Sequence, residues 1–329
     1  MKKIALITLG GTISAKGLHR GDLKDYQSGL LGGNDFLNEL PELSEMANIE
    51  VVQIDNVSST QINENHWIKL KKIVEYYLNE QNFDGVVITH GTNTIEETAY
   101  FLHLTVDSNK PVVLVGAQRP FTALSTDAHL NLIQAVRVAI DPNSSNKGVL
   151  VAINNEINCA RDVTKTNTYR LETFRSGETG YLGFIDPDET VRYYRTPIRR
   201  HTINSEFSKT PITSLAKIEI VYSYAGASGE LINFITQSKK YDGIVIAGTG
   251  AGRFSQKEEK SLYEARKNGL HIVRSSRVGN GRVLDIASYR GLKAVSGDNL
   301  SPQKARILLL LSLLQSNDVE EIQRIFNEY

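Results

Sequence analysis

Short apolar runs alternate along the chain with longer stretches whose apolar residues recur every three to four positions. A continuous apolar run bounded by turn residues marks a buried strand, and the 3.6-residue recurrence marks a helix with one face inward. The pattern predicts strands over 4–9, 48–55, 86–89, 111–116 and 148–153, with helices over 63–79, 94–106 and 126–140 between them. The first of these helices carries Trp67, Leu70, Ile73, Val74, Tyr77 and Leu78 on one stripe. Alternation of this kind specifies a mainly parallel sheet with helices on both faces. Residues 157–194 change character: they are rich in Thr, Arg and Gly, and their short β-like runs at 180–185 and 190–194 predict antiparallel structure at the sheet's edge. Residues 195–214 are polar, contain Pro197 and Pro211, and show no sustained period, which reads as a linker. Alternation then resumes, with strands over 217–222, 243–247 and 271–274 and helices over 229–240, 255–268, 302–315 and 318–327. Ser301 before Pro302 is a good helix start, a cap followed by a proline at the first helical position. The expected architecture is two α/β domains. A larger N-terminal, mainly parallel, Rossmann-like sheet spans 1–194, the linker spans 195–214, and a smaller C-terminal parallel domain spans 215–329.

Two strand ends share a design. The run from Val86 turns through His90 and Gly91 and presents Thr92 and Asn93 before the next helix, with Glu96 and Glu97 in its first turn, where the helix dipole favours them. The run at 4–9 ends in Gly10, Gly11 and Thr12. Ligands of open α/β sheets bind at the carboxyl ends of strands, so two such loops place two hydroxyls in one crevice. A threonine hydroxyl is a poor nucleophile until a neighbour accepts its proton, and the candidates at strand ends are Tyr26, His90, Asp162 and Lys165. Tyr26 lies in a glycine- and charge-rich loop, 16–33, whose length suits a lid or binding loop. By composition alone Tyr26 is equally a surface aromatic, Lys165 a solvated loop lysine, and His90 a structural hydrogen-bonding residue.

Charge and composition narrow the function. Lys plus Arg and Asp plus Glu number 37 each, a zero net charge that argues against non-specific nucleic-acid binding. The single cysteine, Cys159, excludes an intrachain disulfide and a cysteine-based metal site, and no His-Glu-x-x-His spacing occurs. The apolar run behind Met1-Lys2-Lys3 is shorter than a secretory core, and nothing approaches the ~20 apolar residues of a membrane span. A cytoplasmic protein with no membrane partner is expected. Gly248-Thr249-Gly250-Ala251-Gly252 holds the first two glycines of a dinucleotide fingerprint, but Phe254 follows where the pattern wants a small residue.

At these residues the chain resembles the bacterial-type L-asparaginases, the threonine amidohydrolases. The resemblance runs nearly end to end through T-L-G-G-T-I-S at 8–14, I-T-H-G-T-N-T-I-E-E-T-A at 88–99, V-G-A-Q-R-P at 115–120 and R-D-V-T-K-T-N-T at 161–168, with further matches at 273–278 and 301–306. It implies two α/β domains, a homotetramer of intimate dimers with sites completed by the neighbouring subunit's C-terminal domain, and no metal or organic cofactor. It implies hydrolysis of a small-molecule side-chain amide through an acyl-threonine intermediate. Matched by position, Thr12 is the nucleophile, Tyr26 its activating tyrosine, Thr92 the second threonine and Lys165 the lysine that works with it. Ser59 then binds the substrate's α-carboxylate, with Gly11, Gly91, Thr60 and Asn93 also lining the substrate.

The departures concern the substrate. Where the family reads H-G-T-D-T, with an aspartate that pairs with the substrate's α-ammonium, this chain has Asn93. The glutamine that serves the same ammonium falls at Thr60, a C-terminal asparagine at Ala251, and the neighbour's acidic residue lies in a shortened segment with Asp285 as the stand-in. The expectation is an amidohydrolase for L-asparagine or for a derivative without a free α-ammonium. The alternatives are an amidase for a modified Asn, Gln or other small amide, an ammonia-supplying amidotransferase subunit, and a non-enzymatic ligand-binding module. Asn93 in place of a carboxylate also predicts a Lys165 that deprotonates more readily.

Overall fold

Every predicted apolar run becomes a strand in the computed structural model, which describes residues 1–329. The larger sheet contains β1 (Lys3–Gly10), β2 (Asn48–Val57), β3 (Gly85–Thr89), β4 (Val112–Val115), β5 (Val149–Ile153), β6 (Glu156–Cys159), β7 (Gly183–Ile185) and β8 (Val191–Tyr193). Their spatial order is β8-β7-β6-β5-β4-β3-β1-β2. The five strands from β2 to β5 pair in parallel. The last three join antiparallel; the short β-like runs predicted β7 and β8 at this edge, while β6 is an addition.

Burial explains the sequence pattern. β3, β4 and β5 are buried at every position, as parallel strands covered on both faces must be. Ile4, Leu6, Val87, Val113 and Leu150 pack in one cluster with Leu132, Ala135 and Val136 of the helix Ala128–Ile140. The intervening Ala5, Ile7, Val86 and Ile88 are equally inaccessible. The first long helix, α1 (Glu64–Glu75), buries Trp67, Leu70 and Val74 of its predicted stripe. It packs beside α2 (Ile95–Thr105), where the Trp67 and Phe101 rings lie 5.3 Å apart. Two helices of one to two turns, Gly33–Glu39 and Glu42–Met46, are too short to show a period in the sequence.

The chain divides into two compact units, Met1–Lys209 and Thr210–Tyr329. The segment expected as a linker is therefore shared between them. Its first part packs on the larger unit: Phe207 is fully buried, and the His201 ring lies 5.0 Å from that of His103. These contacts come from turns, including the 3-10 turn Thr202–Asn204, which leave no periodic trace. In the smaller unit β9 (Ile218–Tyr222), β10 (Gly243–Gly248), β11 (His271–Ser276) and β12 (Val295–Ser296) form an all-parallel sheet in sequence order. The helix Pro302–Ser312 starts as expected: the Ser301 side chain accepts from the Lys304 amide and Pro302 occupies the first turn.

Candidate active site

β1 and β3 are adjacent and in register, with Thr8 opposite Thr89, so the loops that leave their carboxyl ends start side by side. Glycine then lets them touch. A β-carbon on Gly11, whose φ is +86°, would lie 2.3 Å from the Gly91 Cα, and one on Gly91 would lie 2.7 Å from Ser59 Oγ. Three segments meet at a spacing that no other residue type permits. The Gly11 amide donates to the Val57 carbonyl at 3.0 Å, so Gly11 contributes space to the site and leaves its N–H on β2.

Thr12 opens the 3-10 turn that follows, and its Oγ1 lies 3.1 Å from the Tyr26 hydroxyl. Tyr26 is carried by a two-residue ladder in which Lys16–Gly17 pairs with Tyr26–Gln27. The far end of this loop is fastened by the Leu30 and Leu31 amides, which donate to the Ser14 carbonyl, and by Asn56 Nδ2, which donates to the Gly29 carbonyl. The loop singled out by its length thus holds its one tyrosine over the first threonine.

At the second strand end, Lys165 Nζ donates to Thr92 Oγ1 at 2.8 Å and to Asn93 Oδ1 at 3.0 Å. The Thr92 hydroxyl in turn donates to Gln118 Oε1 at 3.3 Å. An ammonium offers only donors, so it takes the oxygen of the Asn93 amide. Asn93 is exposed, and with its oxygen engaged by Lys165 the polar group it has left is its NH2. Burial pulls the Lys165 ammonium below the ordinary lysine range, and the Glu96 carboxylate opposes that shift. The cause of this lowering is burial, not the residue at position 93. The carboxylate that bears on Lys165 comes from Glu96.

His90 is structural. Burial brings its pKa down to about 4, so the ring is neutral near pH 7. Nδ1 lies 2.8 Å from the Gly91 carbonyl, which only accepts, so Nδ1 carries the proton. Nε2 then accepts from the Thr98 hydroxyl at 2.9 Å, and Thr98 accepts from the Trp67 indole N–H at 3.0 Å. This chain of donors fixes the tautomer and holds the Gly91 peptide in place. Asp162 stays outside the cluster, paired with Arg161 at 3.2 Å.

Ser59 is buried against Gly91, and its carbonyl accepts from the Thr94 hydroxyl at 2.8 Å. Thr60 is exposed, with its hydroxyl 3.0 Å from Ser58 Oγ. In the smaller unit Ala251 is exposed, and Asp285 lies 3.6 Å from Arg290 Nε. The glycine turn beside Ala251 closes on itself: Thr249 and Arg253 exchange backbone bonds of 2.7 and 2.8 Å. It does not form the open cradle of amides that a pyrophosphate needs. No group of three or more His, Cys, Asp or Glu side chains is placed to hold a metal ion.

Two site residues went without a role in the sequence reading. Gln118 follows β4 by three positions, and the rule that singled out Thr12 and Thr92 at strand ends applies to it equally. Glu96 was accounted for by the helix dipole, and only its burial distinguishes it from Glu97. The cluster as a whole offers two hydroxyls, each within hydrogen-bond reach of a group able to exchange a proton, the arrangement that nucleophilic acyl transfer requires.

Comparison with known proteins agrees with this chemistry. Residues 3–199 match the family model described as Asparaginase, N-terminal, and residues 217–326 match that of the Glutaminase/Asparaginase C-terminal domain. The chain is 41% identical to L-asparaginase 2 of Bacillus subtilis (strain 168), a match covering all of this chain and 87% of that protein. It is 42% identical to L-asparaginase 2 of Escherichia coli (strain K12), covering all of this chain and 94% of that one. The crystal structure of a probable cytoplasmic L-asparaginase from Campylobacter jejuni superposes with a TM-score of 0.97 at 40% identity, over the full length of both chains.

Proposed function

The chain belongs to the asparaginase/glutaminase family of threonine amidohydrolases, and we propose that within it Thr12 is the nucleophile, Tyr26 its proton acceptor, and Thr92 with Lys165 the second proton-handling pair. The Thr12 oxygen adds to the carboxamide carbon while its proton passes to the Tyr26 oxygen, 3.1 Å away, and the Tyr26 hydroxyl proton passes on to the departing nitrogen. The C–N bond breaks, and ammonia leaves an acyl-threonine ester. Water then adds to the ester, releases the acid and restores the hydroxyl. Lys165, with its proton affinity lowered by burial, exchanges protons with Thr92 across 2.8 Å. Ser59 receives the substrate's carboxylate, beside Gly91 and Gly11.

The preferred substrate is a side-chain amide whose α-substituent is not a free ammonium. The observation that carries this is the bridge from Lys165 to Asn93 Oδ1. It leaves Asn93 with its NH2, where an aspartate would present a second acceptor oxygen, and a substrate ammonium would meet N–H groups instead of a carboxylate. Thr60 adds a hydroxyl already engaged with Ser58. The names of the relatives favour a second reading, L-asparagine itself held with a weakened grip on its amino group. Ammonia release from L-asparagine, N-acetyl-L-asparagine and succinamic acid separates the two. The first reading expects higher kcat/KM for one of the latter pair, and efficient turnover of L-asparagine at low KM with poor use of the others overturns it. Thr12→Ala should abolish release from every amide in the panel, and retained activity would remove Thr12 as nucleophile.

We take the active form to be a homotetramer. Exposed Leu231 and Phe234 on the helix Glu230–Ser238, with Tyr222 and Tyr224 nearby in sequence, support burial of this surface in an assembly. Light scattering of the purified protein tests it. The description of the Campylobacter jejuni relative supports a cytoplasmic location, and no helix is long and apolar enough to cross a membrane.

A further inference from the structure

We infer that Glu96 is a positioning residue for the reaction: its carboxylate fastens the Lys165 segment to the helix that begins behind Thr92 and so holds the Lys165 amine against the Thr92 hydroxyl. This rests on the roles proposed above for Thr92 and Lys165. Glu96 Oε2 accepts two hydrogen bonds, from the Lys165 backbone amide at 2.6 Å and from the Thr164 hydroxyl at 2.8 Å. Both donors are neutral, and the carboxyl group is almost wholly buried, with the residue 7% exposed. A buried carboxylate is costly to keep unless strong donors satisfy it, so these two bonds define where the segment sits.

The placement matters because of how the segment is built. Thr164–Lys165 is a two-residue strand paired only with Phe174–Arg175, a ladder too short to fix a side chain by itself. Lys165 lies 73 positions along the chain from Thr92. Glu96 lies in the first turn of α2, which follows directly from Thr92, Asn93 and Thr94. One rigid element therefore carries the hydroxyl at its entry and, one turn later, the clamp on the lysine that meets it. A loop lysine with four rotatable methylenes becomes a group at a set distance.

The same carboxylate acts on the Lys165 charge. Burial lowers the affinity of Lys165 for its proton, and Glu96 raises it again. The other charged groups around it are engaged elsewhere. Asp162 is paired with Arg161, Arg175 reaches Tyr181 and Glu172, and His90 at the end of β3 is neutral near pH 7. Position and proton affinity can thus be varied separately. Glu96→Gln keeps an oxygen that can accept both bonds but removes the charge, whereas Glu96→Ala removes both.

The test is kcat and KM for ammonia release across pH in the full-length protein, for wild type, Glu96→Gln, Glu96→Ala and Lys165→Met, with thermal melting to establish that each is folded. Glu96→Gln should keep most of its activity at its own optimum while the ascending limb moves by roughly one pH unit toward acid, because Lys165 loses its proton more easily. Glu96→Ala should lose roughly 10- to 100-fold in kcat with little change in KM. A folded Glu96→Ala of wild-type kcat, or a Glu96→Gln limb that does not move while Lys165→Met is inactive, overturns the inference alone. A Lys165→Met variant that retains wild-type activity and pH profile overturns the role of Lys165, and this inference with it.

Discussion

Asn93→Asp probes substrate choice and proton affinity at one atom. Lys165 Nζ donates to Asn93 Oδ1 at 3.0 Å, and an aspartate can keep that contact with one oxygen. Asn93 is exposed, so the charge it would carry is screened nearly as in water. With a dielectric of about 80, 332/(80 × 3.0) comes to about 1.4 kcal/mol, or roughly one pH unit on Lys165. The half-buried environment of Lys165 makes this a lower bound. The sign follows from the charge: a carboxylate holds the lysine proton more tightly, so activity that needs the neutral amine rises at higher pH. The limb should move up by at least about one unit. The second carboxylate oxygen would stand where Asn93 has its N–H groups, and would accept from a substrate ammonium. One charge-assisted hydrogen bond contributes about 1.5–3 kcal/mol, or roughly 10- to 150-fold in binding. The assay is kcat/KM for L-asparagine and for succinamic acid from pH 5 to 10, by ammonia release, in wild type and variant. The ratio should swing toward L-asparagine by at least roughly 10-fold. A ratio unchanged within about twofold, or a limb that moves to lower pH, would refute the reasoning about Asn93.

Other substitutions test the frame around the two threonines. Gly11→Ala would place a β-carbon 2.3 Å from the Gly91 Cα at a φ of +86°, so it should lower stability by about 1–3 kcal/mol and displace Thr12, with loss of ammonia release; an unchanged Tm would contradict the close packing. His90 has a folded pKa of about 4 against an ordinary value of 6.5. Its depressed pKa means that the stability it contributes is complete above the unfolded value and lost as the pH falls toward 4, by about 3 kcal/mol in all. Urea unfolding at pH 7 and pH 4 should show a drop smaller by roughly that amount in His90→Gln than in wild type, and equal drops would show that the ring is not buried neutral.

The strands were legible because a strand buried on both faces must be apolar throughout, and Val86, Val87 and Ile88 or Val112 to Val115 fit nothing else at that length. A helix start was legible where a side chain does the capping, as Ser301 does. The strand β6 was not, since Glu156–Cys159 mixes polar and apolar residues at an edge where one neighbour is itself a three-residue strand. Nor was the packing of residues 195–209, where Phe207 and His201 are buried through turns and polar contacts that have no period.

By itself the sequence determined the alternation of elements, the presence of two threonines at strand ends, and the family, because each is a local property of residue type and order. It also displayed the substitution at Asn93. Only the tertiary structure decided what these residues do to one another. Which way the Asn93 amide faces depends on an ammonium 72 positions away, and where that lysine sits depends on Glu96, 69 positions from it. His90 is kept neutral by burial, and its tautomer is held by a hydrogen-bond relay from Trp67, across a helix contact that neither stretch of sequence contains. Proton affinity and hydrogen-bond direction are set by distance and burial, and in a doubly covered parallel sheet many of the neighbours that set them lie far apart along the chain.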